Sequence, residues 1–126
     1  MSEKNATPYT LLHLRFKLRV KPDQLLAHSQ EPAGKIAAVK GLIWKIWVFQ
    51  DEESVAGGVY LFDSREAAEN YLSHPVIQAV RNNPAVASTE SQLWDVDHSL
   101  SAVTRAPLPG MNAEQPQPVA SIAGGQ

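Results

Sequence analysis

From Tyr9 to Val20 the chain alternates strictly. Leu12, Leu14, Phe16, Leu18 and Val20 point one way, and His13, Arg15, Lys17 and Arg19 point the other. A period of two over this length predicts a strand with one dry face. Pro22 stands where a helix begins, with Asp23 in its first turn complementing the helix dipole. Leu25, Leu26, Ile36 and Val39 continue an apolar stripe to Gly41, and Pro32 and Gly34 predict a break or kink within it.

A second strand follows over Leu42 to Phe49, then the polar turn Asp51-Glu52-Glu53-Ser54, then a third strand from Val55 to Phe62. The two strands form a hairpin. If Gln50 pairs with Val55, then Lys45 lies opposite Tyr60, Trp47 opposite Gly58, Ile46 opposite Val59 and Trp44 opposite Leu61. The last two pairs make an all-apolar face, and a one-residue slip would mix the faces. Asp63 is a candidate N-cap with Glu66 at the capping-box position. Ala67, Ala68, Tyr71 and Leu72 give a helical stripe ending at His74-Pro75, a short helix runs from Pro75 to about Arg81, and Asn82-Asn83-Pro84 breaks it. A weaker final strand covers about Val86 to Val96. The order β-α-β-β-α-β predicts an α+β, ferredoxin-like fold, with helices on one face of a four-stranded antiparallel sheet.

Leu12, Leu14, Phe16, Leu18, Trp44, Ile46, Val59 and Leu61 account for the helix-covered face in this reading. The opposite face then carries Ile43, Trp47, Phe49, Tyr60 and Phe62, an apolar patch of the kind that marks an interface or a ligand site. The simplest cover is a second copy packed sheet to sheet, which makes a homodimer around a barrel. At roughly 25 cal/mol per Å², covering two such patches supplies on the order of 10 kcal/mol before association costs. His13, Arg15, Lys45 and Tyr60 would be the few polar groups in a mostly apolar cavity, which is the character of a small-molecule pocket.

Composition narrows the function. The chain has 126 residues, about one domain, with 13 acidic and 11 basic side chains and a formal charge of -2. That balance offers no general attraction to nucleic acid or to an anionic membrane. No apolar run approaches a membrane span, the first residues lack the apolar core of a secretory signal, and a cytoplasmic location fits. There are no cysteines, which excludes disulfides, thiolate metal sites and a cysteine nucleophile. Four of the nine prolines lie beyond residue 99, where Arg105 and Glu114 are the only charges. Residues 1 to 7 therefore read as a flexible start, 8 to 98 as the domain, and 99 to 126 as a C-terminal arm and Pro/Gly/Ala-rich tail. The stretch from His98 to about Pro109 could reach across to the partner copy.

The segments Gly41-Leu42-Ile43-Trp44-Lys45-Ile46-Trp47 and Ala56-Gly57-Gly58-Val59-Tyr60-Leu61-Phe62 resemble the YdhR-type monooxygenase family, and Trp94-Asp95-Val96 with Leu100-Ser101 is similar to that family's end. The likeness covers about residues 9 to 101. It implies the dimeric α+β barrel, and it implies oxygenation by analogy with small cofactor-free quinone-forming oxygenases, a label that speaks of fold more than of chemistry. The Asn-Trp-His constellation of the haem-degrading relatives has no counterpart here, which argues against haem.

Other chemistries find little support. His13, His28, His74 and His98 have no metal-ligand spacing. His28 reads as an exposed helix residue and His74-Pro75 as a helix stop. Gly57-Gly58 is no phosphate loop, since no helix N-terminus follows it; it would let Trp47 lie over bare backbone. The third strand lacks the basic-aromatic signature of RNA-recognition sheets.

Two functions fit the pocket. The first is a monooxygenase without cofactor or metal, acting on a small phenolic or polycyclic aromatic compound. His13 would be the base, Arg15 or Lys45 the oxyanion partner, and Trp47, Gly58, Tyr60 and Phe62 the substrate walls. The second is a non-catalytic binder of a small hydrophobic compound, or a cofactor-free isomerase on the same scaffold.

Overall fold

The computed structural model describes residues 6 to 109. The chain divides into two compact units, one of them Pro8–Asp95 and the other containing the described residues from Val96 onward. The elements are β1 (Ala6–Leu18), α1 (Pro22–Leu26), α2 (Gln30–Ala37), β2 (Leu42–Gln50), β3 (Val55–Phe62), α3 (Arg65–Leu72), α4 (Pro75–Arg81), β4 (Val86–Asp97) and α5 (His98–Val103). They build a four-stranded sheet of order β2-β3-β1-β4, in which β3 runs antiparallel to both its neighbours. The expected α+β class and element order stand. No helix among the described residues is long and apolar enough to cross a membrane.

Local chemistry moves several boundaries. The first helical stretch breaks at Ala27 to Ser29, where the Ser29 hydroxyl donates to the Leu25 carbonyl at 2.9 Å, and not at Pro32 or Gly34. Pro32 sits in the first turn of α2, where a missing N–H leaves no helical bond unmade. Ser64, not Asp63, caps α3 and accepts the Ala67 N–H at 3.0 Å. Asp63 is engaged elsewhere: its N–H donates to the Gly41 carbonyl at 2.8 Å, and its carboxylate occupies the space a Gly41 side chain would need. With φ at 87°, Gly41 is the residue that this turn requires. His74 starts α4 as well as ending α3, because its Nδ1 accepts the Val76 N–H at 3.1 Å.

In the second unit, α5 gives regular structure to the opening of the expected arm. Asp97 caps it by accepting the Leu100 N–H at 2.9 Å. The flexible start expected over 1 to 7 and the tail beyond residue 109 lie largely outside the described residues.

The core of the Pro8–Asp95 unit decides which face of the sheet is which. Leu12, Leu14, Phe16 and Leu18 are buried with Ile36 of α2, Ala68 and Tyr71 of α3, and Val76 and Ile77 of α4. Tyr60 and Phe62 belong to the same cluster and are 1% and 0% exposed. The hairpin has the expected register, with Gln50 opposite Val55, Lys45 opposite Tyr60, Trp47 opposite Gly58, Ile46 opposite Val59 and Trp44 opposite Leu61. The assignment of its faces is reversed.

The pairing of β1 with β3 explains the reversal. Leu12 lies opposite Tyr60, Leu14 opposite Gly58 and Phe16 opposite Ala56. Directly opposed residues share a face. Tyr60, Phe62, Gly58, Lys45, Trp47 and Phe49 therefore lie on the helix side. Trp44, Ile46, Val59 and Leu61 lie on the other side with His13 and Arg15. Tyr60 and Phe62 are core residues and form no part of an exposed patch.

Candidate functional site

The reversal separates the residues that the sequence grouped together. His13 and Arg15 stand on the face away from the helices, beside β4. Arg15 Nη1 is 3.3 Å from Glu90 Oε1, and both side chains are more than half exposed. Such a surface pair is worth about 0–1 kcal/mol. His13 is half-buried, and with Arg15, Glu90, Ser91 and Gln92 it lines a depression of about 320 Å³. Neither residue shares a face with Lys45, Trp47, Gly58, Tyr60 or Phe62.

These five remain together, and two further residues join them. Tyr71 of α3 points into the sheet, and its hydroxyl donates to the Tyr60 hydroxyl at 3.2 Å. The Tyr60 ring stacks on Phe62 with centroids 6.0 Å apart and meets Tyr71 at 5.0 Å. Phe62 and Tyr71 are 5.5 Å apart, and the His74 ring is 6.1 Å from Tyr71. Since His74 Nδ1 accepts the Val76 N–H, any proton on this ring sits on Nε2. A cleft of about 530 Å³ reaches Tyr71 and His74 between the Gly41 turn and α3.

Lys45 lies at the β2 margin of this aromatic group. Its Nζ is 3.3 Å from the centroid of the Trp47 ring and 4.7 Å from that of Tyr60. Gly58 makes this possible: a Cβ there would stand 2.5 Å from Lys45 Cε and 3.0 Å from Tyr60 Cε1. The bare backbone at Gly58 thus accommodates the lysine stem, where the sequence reading had placed Trp47. Lys45 takes no part in the ion pairs among the described residues.

Burial dominates the electrostatics. It lowers the Lys45 pKa to about 7, so amine and ammonium are both populated near neutral pH. It pushes the Tyr71 phenol up to about 12, against the opposing effect of its hydrogen bond to Tyr60. Tyr60 is raised still further, by burial first and then by Tyr71. Both phenols therefore keep their protons. The site combines an amine that exchanges protons near neutrality, a protonated phenol pair and aromatic walls. Among the described residues no group of His, Asp and Glu could hold a metal ion.

The sequence reading missed Tyr71 and His74, which it took as a core stripe residue and a helix stop. The available signal was a phenol on the buried stripe of a helix otherwise lined by Ala67 and Ala68, since a buried hydroxyl needs a partner.

The chain belongs to the family described as "Putative mono-oxygenase ydhR", which matches residues 11–107. No curated protein matches it. Among solved structures it is similar to protein SO0527 from Shewanella oneidensis, with 15% identity, a TM-score of 0.59, and coverage of 71% of this chain and 92% of that one. It is equally similar to SnoaB, a cofactor-independent oxygenase from Streptomyces nogalater, with 15% identity, a TM-score of 0.59, and 75% and 98% of the two chains covered. Protein NE2512 of unknown function from Nitrosomonas europaea follows at 16% identity and a TM-score of 0.54, covering 70% and 88%. At these identities the likeness is one of fold.

Proposed function

We propose that this protein is a cofactor-independent monooxygenase that oxidises a small phenolic aromatic compound on the helix side of the sheet, at Lys45, Trp47, Tyr60 and Tyr71. The observation that carries the reading is the Lys45 amine, set against two aromatic faces without a carboxylate partner. Family membership and a cofactor-independent oxygenase among the fold neighbours support it.

The reaction needs a substrate whose own anion reduces dioxygen, in place of a redox cofactor. Lys45 as the amine takes the substrate proton. The ammonium that results is then the counter-charge of the oxyanion it has created, in a site where poor hydration strengthens their attraction. The anion adds dioxygen, and loss of water from the peroxide leaves one oxygen atom in a quinone or ketone. The Lys45 ammonium returns its proton to the departing oxygen, which restores the amine. His13 and Arg15, on the far face, have no part in this step.

The second partner in this reading is another copy of the chain, seated on the face away from the helices. Ile46, which is 52% exposed, lies on that face by its pairing with Val59. Trp94 is 49% exposed. It lies there too, because Leu93 packs into the core and successive strand residues point to opposite faces.

The test is incubation of flavin-free, chelator-treated protein with anthrone under labelled dioxygen. Enzyme-dependent uptake with one labelled oxygen in the product is expected. Binding of anthrone without uptake would contradict the oxygenase reading and favour a ligand-binding protein.

A further inference from the structure

Lys45 meets requirements that extend beyond proton transfer. A nucleophilic lysine must be unprotonated part of the time, free of a carboxylate and reachable from solvent. The Lys45 side chain is half-buried, not sealed, and the Trp47 ring lying against its Nζ is 37% exposed. No ion pair among the described residues engages it. Phe49 is two residues beyond Trp47 on the same strand face and is 55% exposed, so a flat apolar wall extends outward from the amine.

We propose that Lys45 is a carbonyl-reactive amine that captures aromatic aldehydes as an imine, with the aryl group lying along Trp47 and Phe49. Nζ adds to the carbonyl carbon, and the former carbonyl oxygen becomes the hydroxyl of a carbinolamine. That hydroxyl takes a proton from solvent and leaves as water as the C=N bond forms, and Nζ gives up its last proton to solvent. No oxidant or reductant is consumed. The Tyr60 ring, its centroid 4.7 Å from Nζ, backs the amine on the side away from solvent. The lowered pKa of Lys45 keeps the amine available near neutrality. This activity needs neither dioxygen nor a phenolic substrate, so its failure is separable from failure of the oxygenase reading.

The experiment is reductive trapping on the full chain. Protein is incubated with benzaldehyde and cyanoborohydride at neutral pH, and the benzylated lysines are mapped by peptide mass spectrometry. Lys45 is expected to carry the benzyl group at least about tenfold more often than Lys17, Lys21, Lys35 or Lys40, because a large share of its amine is unprotonated at that pH. The preference for Lys45 should be greatest near pH 7, where its amine is already available. Benzylation spread evenly over the lysines, or a Lys45 rate that climbs in parallel with the others, would overturn the proposal.

Discussion

Lys45 Nζ lies 3.3 Å from the centroid of the Trp47 ring, two residues along the same edge strand, while the lysine stem crosses the bare backbone of Gly58. Three residues that are unremarkable singly thereby hold an amine where water is scarce. Burial lowers its pKa to about 7 from an ordinary value of 10.5. Between those values the unfolded chain binds a proton that the folded chain lacks, so the contribution of Lys45 to stability rises with pH from about 7 to about 10. The thermal midpoint of the wild type relative to Lys45→Met should therefore improve steadily across this range. A constant difference would mean that Lys45 titrates as an exposed lysine.

Gly58→Ala should keep the fold and displace Lys45. The new Cβ meets the far end of a flexible side chain at Lys45 Cε, although it also crowds the Tyr60 ring. A loss of about 1–3 kcal/mol in urea unfolding is expected, as for other overpacked sites. Gly57→Ala should cost more, because there the Cβ collides with the Leu14 carbonyl in the adjacent backbone of β1. Equal losses in the two variants would contradict this packing.

Tyr60 and Tyr71 form a buried pair whose members should not behave additively. Tyr60→Phe or Tyr71→Phe each leaves one hydroxyl without its partner, at a cost of about 1–3 kcal/mol. The double variant removes both hydroxyls and should lose less than the sum. Additive losses in the double-mutant cycle would show that the 3.2 Å contact contributes no coupling.

How much of this was legible in the sequence depends on the element. The hairpin register followed from the four-residue loop alone, and all five expected pairs are present. The identity of the two faces did not follow, because β3 is a central strand with Tyr60 and Phe62 on one side and Val59 and Leu61 on the other. Apolar on both faces, it gives no sign of which side the helices cover. The answer lies in the pairing of Leu12 with Tyr60, a long-range contact that no local pattern encodes. His13 was grouped with Lys45 for that reason. The partnership of Tyr71 with Tyr60 was hidden in the same way, since it depends on how α3 packs on the sheet.

The reversal of faces also changes what surface substitutions should do. Ile46→Asp combined with Trp94→Asp should abolish the proposed dimer in sedimentation experiments, whereas Trp47→Asp should leave any association unchanged. Phe62→Asp should unfold the chain because the residue is fully enclosed in the core, not because it lies in an interface. Dissociation by Trp47→Asp together with unaltered association in the Ile46/Trp94 variant would contradict the assembly.

The proposed reactive face is the one beneath the helices. The most direct measurement compares the rate of anthrone-dependent oxygen uptake in Lys45→Met and His13→Ala, each verified as folded by circular dichroism. Loss of a general base and oxyanion partner predicts a fall of about 10²-fold or more in Lys45→Met. His13→Ala should stay within about twofold of wild type, as expected for a group on the far face. An unchanged rate in Lys45→Met alongside a collapse in His13→Ala would place the chemistry on the opposite side of the sheet and contradict the account.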